Sequence, residues 1–184
     1  MVSRNIIMRG KVISLGTVLK SDLEDITAYM NDRDVRTFLR DPARIFYIEN
    51  EEEWYDRIRN SEESKVFAIV ENGRDVLSGL ISLHSVDCRN GNAYIAYSIK
   101  KEFWNRGFAT EAVSLAIGYA FRYLNLRKLH STVMEPNVAS KRVLEKNGFV
   151  ESGRFRKNGY IPGKGFVDEI YLELMNEEHA YSAV

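Results

Sequence analysis

Apolar positions recur along the chain with a period that switches between two and about 3.6, and each switch marks a change of element. Residues 11–19 (KVISLGTVL) predict a first strand. Ser21 and Glu24 then have capping-box spacing ahead of Leu23, Ile26 and Met30, which fall on one helical face. Asn50 and Glu53 repeat that signal before Trp54 and Ile58, and an aromatic stretch from Phe38 to Tyr47 separates the two helices. Residues 66–70, 77–86 and 93–99 read as three strands, with turn signals at Glu71-Asn72-Gly73 and Arg89-Asn90-Gly91-Asn92. Turns this short between consecutive strands imply an antiparallel meander.

A helix fits residues 109–124, where Val113, Ala116, Ile117, Ala120 and Leu124 share a face. Residues 128–134 form a strand. Residues 138–147 form a short helix, with Asn137 as N-cap and Gly148 as its stop. Residues 149–156 and 166–174 close the chain as strands. The order β-α-α-β-β-β-α-β-α-β-β predicts an α/β fold: one mixed sheet with helices on its faces. No repeat, low-complexity segment or linker divides residues 1–184, so one domain is expected.

Composition narrows the function. Lys plus Arg and Asp plus Glu are 26 each, a formal net charge of zero. This argues against a general nucleic-acid binder, which needs surplus cations to displace counterions. No apolar run approaches the roughly 18 residues of a membrane span. The one cysteine, Cys88, has no internal disulfide partner, which points to a reduced, cytoplasmic setting. His84, His130 and His179 show no metal-ligand spacing, so no metal is expected.

Two segments carry chemistry. In Tyr97-Ser98-Ile99-Lys100-Lys101-Glu102-Phe103-Trp104-Asn105-Arg106-Gly107-Phe108-Ala109-Thr110, a strand runs into a loop that opens a helix. Amides at a helix start lack intrahelical acceptors, so the loop can hold an anion. Gly107 permits close approach and Arg106 adds a positive charge. A plain surface turn is the competing reading. GxxxxGK[ST] does not occur, and Gly159–Gly165 has the spacing of a hairpin loop instead. The second segment runs from Asn137-Val138-Ala139-Ser140 to Lys146-Asn147-Gly148-Phe149, and alone is only a capped helix.

In this order, about 30 residues apart, the two segments resemble the GNAT family of N-acetyltransferases, and the wording resembles its ribosomal-protein (RimJ/RimL-like) branch. Leu15, Ser21-Asp22-Leu23 and Asp168-Glu169 fit the same branch. The resemblance implies a sheet splayed between its fourth and fifth strands, with acetyl-CoA as cosubstrate in the gap. It implies that the backbone of Tyr97, Ile99 and Lys101 binds the pantetheine and acetyl ends. Amides of Asn105, Arg106, Gly107, Phe108, Ala109 and Thr110 would bind the pyrophosphate. Trp104 stands where the wider family has Gln or Arg. Asn137 matches the Asn that bonds the pantetheine arm. Where the wider family often has a Tyr acid, this chain has Leu144, and Ser140 offers a hydroxyl to the leaving thiolate instead; that Ser140 only caps its helix is the alternative.

The reaction the resemblance implies is direct attack of a neutral amine on the thioester, in which a backbone N–H near Ile99 would hold the oxyanion. Glu135 is the first candidate base, followed by Asp168, Glu169 and His84; a dedicated base is also dispensable for an α-amine of pKa near 8. Phe38, Tyr47, Trp54 and Tyr160 are candidate linings of the acceptor pocket, and the acidic run Glu49–Glu53 is a candidate attractor for a basic substrate. The expected acceptor is a primary amine, first a protein N-terminus. A polyamine or other small amine is the alternative, and a non-catalytic acyl-CoA-sensing module is a third reading. A monomer or homodimer is expected.

Overall fold

The computed structural model describes residues 4–39 and 41–177; His179 lies outside them. Eight strands form one sheet in the order β1-β2-β3-β4-β5-β6-β8-β7. They are β1 (Ile6–Arg9), β2 (Ile13–Gly16), β3 (Lys65–Glu71), β4 (Val76–Asp87), β5 (Asn92–Ile99), β6 (Lys128–Met134), β7 (Val150–Ile161) and β8 (Gly165–Met175). The helices are α1 (Leu23–Met30), α2 (Arg33–Arg36), α3 (Ile48–Arg59), α4 (Phe108–Arg122) and α5 (Val138–Lys146). Neighbouring strands are antiparallel except at β5–β6, which is parallel because α4 carries the chain back across the sheet between them. The expected mixed α/β architecture is what the chain adopts.

Alternation sorts the strand side chains into two layers. On β3, Phe67 and Ile69 join Ile13, Leu15, Ile81, Ile95 and Leu129 beneath α4 and α5. Ala68 and Val70 face the other way and pack with Val18, Leu23, Ile26 and Tyr29 beneath α1 and α3. A strand with apolar residues on both faces needs cover on both sides, and the helices supply it.

Three local expectations are corrected. The strand predicted over 11–19 is the four-residue β2, because residues 10–12 turn the chain back from β1. Ser21 does not cap α1. The carboxylate of Asp22 takes the Leu19 N–H at 2.7 Å and two Arg4 guanidinium N–H groups at 2.8 Å each, in a short 3-10 turn before the helix. Asn50 lies inside α3, which starts at Ile48. Asn137 is the N-cap of α5, as predicted, accepting the Ser140 N–H at 3.2 Å. Gly148 follows with φ of 86°.

The β1–β2 turn is tied to α4 by one side chain. The Glu111 carboxylate accepts the N–H of Lys11, that of Val12 at 3.1 Å and that of Ile13 at 3.2 Å. Gly10 is required there, since a Cβ would lie 2.5 Å from Glu111 Oε1 and 2.6 Å from the Ile13 carbonyl. Removing a charged acceptor shared by three amides, of which that of Ile13 is part-buried, costs about 1–3 kcal/mol. Glu111→Ala is therefore expected to lower the melting temperature by roughly 3–10 °C for a chain of this size. A melting curve within a degree of wild type would show that the three amides are satisfied by water.

Candidate active site

Two tyrosine faces and one parallel joint build the site. β5 and β6 pair only at Asn92/Lys128, Ala93/Leu129 and Tyr94/His130. Beyond that rung the strands part. Backbone groups that lose a ladder partner must find another, and side chains supply it. The Ser131 hydroxyl donates to the Ile95 carbonyl at 2.9 Å, and the Tyr94 hydroxyl accepts the Thr132 N–H at 3.4 Å while lying 2.9 Å from Thr132 Oγ1. The fork is thus stapled at its apex and open above it. A cleft of about 1640 Å³ fills the opening and continues onto both faces of the sheet.

The loop after β5 closes the mouth. Asn105 and Gly107 both have left-handed backbones, φ 59° and 79°, which turn the chain into the first turn of α4. A Cβ on Gly107 would meet nothing within 4 Å, so this position faces open space. Phe103 and Phe108, both buried, stack at 5.4 Å and anchor the two ends of the loop. The Trp104 indole N–H donates to the Ile99 carbonyl at 2.8 Å, fixing the loop to the end of β5. The amides of a helix start are thereby held beside the cleft, and at Gly107 no side chain stands in the way.

The structure sorts the predicted residues. Tyr97, Ile99, Asn105, Gly107, Phe108, Ala109, Thr110, Asn137 and Ser140 line the cleft. Arg106 and Lys101 do not turn their side chains into it. The Arg106 guanidinium bonds Glu71 at 2.7 Å and lies over the Phe108 ring at 4.6 Å, and Lys101 is paired with Asp34. That hydrogen bond raises the pKa of Lys101 and lowers that of Asp34. Glu135 is not brought to the cleft either; its carboxylate pairs with Arg154 on an exposed face, and Arg154 also reaches Asp168 at 3.4 Å. Asp168 is occupied further by the Lys157 N–H, which holds its carboxyl below the usual range.

Positive charge comes from residues the sequence reading passed over. Arg142 and Lys146 line the cleft from α5. They are four residues apart, hence on one helical face, and the Asn147 amide donates to the Thr110 carbonyl at 3.2 Å, placing that end of α5 against the start of α4. The i, i+4 spacing was the available signal.

Ser140 faces Tyr97. Their hydroxyl oxygens lie 2.8 Å apart, and the Tyr97 O–H also reaches the Ser140 carbonyl at 3.2 Å. Burial pushes the Tyr97 phenol up to about 12, against the opposing pull of the Ser140 hydrogen bond, so it stays protonated at neutral pH. On the other face of the sheet the cleft is aromatic, with Phe38, Tyr94, His130, Phe155, Tyr160 and Tyr171 among its walls. His84 and Glu169 line this half as well. Of the expected acceptor residues, Phe38 and Tyr160 are there. Trp54 packs instead into the core beneath α1 and α3, and Tyr47 is exposed at the start of α3. Within the acidic run, Glu51 is buried, which raises its carboxyl pKa, and none of the run borders the cleft.

Among the described residues, no group of three or more His, Cys, Asp or Glu is placed to hold a metal, and no helix is long and apolar enough to cross a membrane.

The mixed sheet is opened at its parallel joint, with a helix start at the mouth of the cleft. The profile of the acetyltransferase (GNAT) domain matches residues 14–150, and the chain belongs to that family. The uncharacterized N-acetyltransferase p20 of Bacillus licheniformis is 32% identical over 115 residues, 62% of this chain and 64% of its own length. YdaF of Bacillus subtilis, a candidate ribosomal N-acetyltransferase, is 38% identical over 102 residues, 55% of each chain. The chain thus spans under two thirds of the length of both relatives. The crystal structure of spermidine N-acetyltransferase from Vibrio cholerae, in complex with CoA and spermine, superposes with a TM-score of 0.84 at 22% identity, covering 94% of this chain and all of that one. At that identity the likeness shows the fold.

Proposed function

We propose that this chain is an acetyl-CoA-dependent N-acetyltransferase whose acceptor is the α-amine of a protein N-terminus. The observation that carries the reading is the parted β5–β6 joint, which leaves one cleft running from the open Gly107 loop through the sheet to an aromatic wall. A CoA pyrophosphate fits the amides from Asn105 to Thr110, with Arg142 and Lys146 as its cationic partners. The pantetheine arm then runs along Tyr97 and Ile99 past Asn137. The acetyl thioester reaches the fork, where a Tyr97–Ser140 hydroxyl pair can donate to the departing thiolate. A hydroxyl pair that leaves the Ser140 proton free for sulfur speaks for a catalyst over a binding-only module. A cytoplasmic setting, where the exposed free Cys88 stays reduced, completes the reading.

The charge of the acceptor half supports a monocationic amine. Its lining carboxylates among the described residues are Asp34, already paired with Lys101, and Glu169, which accepts the Asn158 amide at 2.6 Å. Spermidine, with three positive charges, would lose water from each with little to replace it. Polyamine transfer is nevertheless the second reading, because the spermidine N(1)-acetyltransferase of Vibrio cholerae is 26% identical over 152 residues, 83% of this chain. The test is competition between short peptides with free α-amines and spermidine for limiting acetyl-CoA. A kcat/KM for at least one peptide above that for spermidine is expected. Turnover of spermidine alone would move the assignment to polyamines, and CoA release with neither would remove amine transfer.

A further inference from the structure

We infer that His130 is the catalytic base, taking the proton from the acceptor nitrogen at the apex of the β5–β6 fork; this rests on the N-acetyltransferase reading above. His130 is half of the last paired rung, opposite Tyr94, so it stands where the strands separate and where the gap through the sheet begins. Alternation on β6 puts Leu129, Ser131 and Val133 in the core, and His130 and Thr132 on the acceptor face. Its ring stacks on Tyr171 at 5.9 Å and meets the edge of Tyr94 at 5.5 Å, which holds the imidazole in place by its faces. No described residue hydrogen-bonds to its ring nitrogens, so both are free for a substrate.

The other candidates are engaged or misplaced. His84 Nε2 lies 2.7 Å from the Ser82 hydroxyl, and its Nδ1 lies 3.4 Å from that of Ser64. Glu169 sits opposite Met134, four residues further along β6 and therefore about 13 Å from the apex. Glu135 and Asp168 are held by Arg154 outside the cleft.

Several charged and titratable groups surround His130. Tyr94 approaches from β5 and Tyr171 from β8; Lys128 and Glu173, themselves ion-paired, lie along β6 and β8. Burial lowers the imidazole pKa first and Lys128 lowers it further, against a smaller opposite effect of Glu173. The ring is therefore neutral at pH 7 and able to accept a proton.

The step balances without a co-reactant. The amine lone pair forms the N–C bond to the thioester carbonyl, and the nitrogen becomes far more acidic as it takes positive charge. His130 accepts that proton. The C–S bond then breaks, the electron pair leaves on sulfur, and the thiolate departs hydrogen-bonded to Ser140 on the opposite face. Imidazolium returns its proton to water, and water protonates the thiolate. Base and leaving-group donor thus occupy opposite sides of one sheet, with the reacting carbonyl in the gap between them.

His130→Gln and His130→Ala should be compared with wild type by CoA thiol release, using trialanine and spermidine as acceptors and calorimetry for acetyl-CoA affinity. Both variants are expected to keep acetyl-CoA affinity and lose kcat by about 10²–10⁴, the usual contribution of a general base. Added imidazole is expected to restore part of the rate to His130→Ala, whose missing ring leaves room for it, and none to His130→Gln. A kcat for His130→Gln within about threefold of wild type overturns the inference. So does a loss of affinity that accounts for the whole loss of rate, since His130 would then be structural. A wild-type protein that binds acetyl-CoA but acetylates neither acceptor would instead defeat the transferase reading, and the inference with it.

Discussion

Gly107→Glu is expected to abolish acetyl-CoA binding while leaving the protein folded. Gly107 sits between β5 and α4 with φ of 79°, and its Cβ direction points into open space. Any L residue there adopts a left-handed backbone at a cost of about 1 kcal/mol. For a chain of this length that is a fall of roughly 2–4 °C in melting temperature. The effect on binding is larger. A glutamate side chain would occupy the space the loop leaves bare and set a carboxylate against a pyrophosphate in the same small volume. Affinity should fall at least about 100-fold, or 2.7 kcal/mol. Gly107→Ala separates the two costs, since it carries the backbone strain and almost none of the bulk or charge. Calorimetric titration of both variants, beside their melting curves, checks this. Unchanged affinity in Gly107→Glu would place the pyrophosphate away from the loop and deprive the cleft of its assigned mouth.

Why the loop was legible before the structure, and its charge partner was not, follows from the range of the forces involved. A strand, a glycine and a helix start are local patterns, and residues 97–110 contain all three. The same holds for Asn137 and Gly148, whose capping roles depend on neighbours within a few positions. Arg106 shares that stretch, yet its guanidinium finds Glu71, 35 positions away, and Lys101 finds Asp34, 67 positions away. Glu135, legible only as a carboxylate beside Asn137, is captured by Arg154 of β7. Exposed charged side chains take the nearest opposite charge that the fold brings up, and spacing along the chain does not report it.

The missed elements were short ones. β1 has four residues, three of them exposed, and exists because β2 offers it an edge; α2 has four and is begun by an Asp32 side chain that accepts the Asp34 N–H at 2.7 Å. Neither contains enough periods to stand out from a loop. The fork itself was known only through the family likeness. Its physical basis is that Ser131 and Thr132 on β6, with Tyr94 on β5, can satisfy the backbone at the point of separation. His130 was within reach of the sequence, because alternation in KLHSTVM sets it opposite the core residues Leu129 and Val133.

Ser140→Ala is expected to lower kcat by about 100-fold with little change in KM for acetyl-CoA, the low end of what a well-placed proton donor contributes. Two roles had stood open for this residue, and the geometry separates them. Its backbone N–H is the group that Asn137 caps; its hydroxyl takes no part in the cap and faces Tyr97 at 2.8 Å. Alanine therefore preserves the helix start and deletes only the hydroxyl. The two groups allow a directional chain, in which the Tyr97 O–H donates to Ser140 Oγ and leaves the Ser140 proton free for sulfur. In Tyr97→Phe that chain is lost but Ser140 remains, so a smaller fall of about tenfold is expected, and the double variant should lose no more than Ser140→Ala alone. Because burial pushes the Tyr97 phenol up to about 12, the pair stays protonated as pH rises. The ratio of wild-type to Ser140→Ala rates should then be flat from about pH 7 to pH 10, where an unperturbed phenol would already be titrating. A ratio that falls towards one across that range would assign the effect to an ionising group elsewhere. Additive losses in the double variant would mean that Tyr97 and Ser140 act separately, Tyr97 through packing and Ser140 on the thiolate by itself.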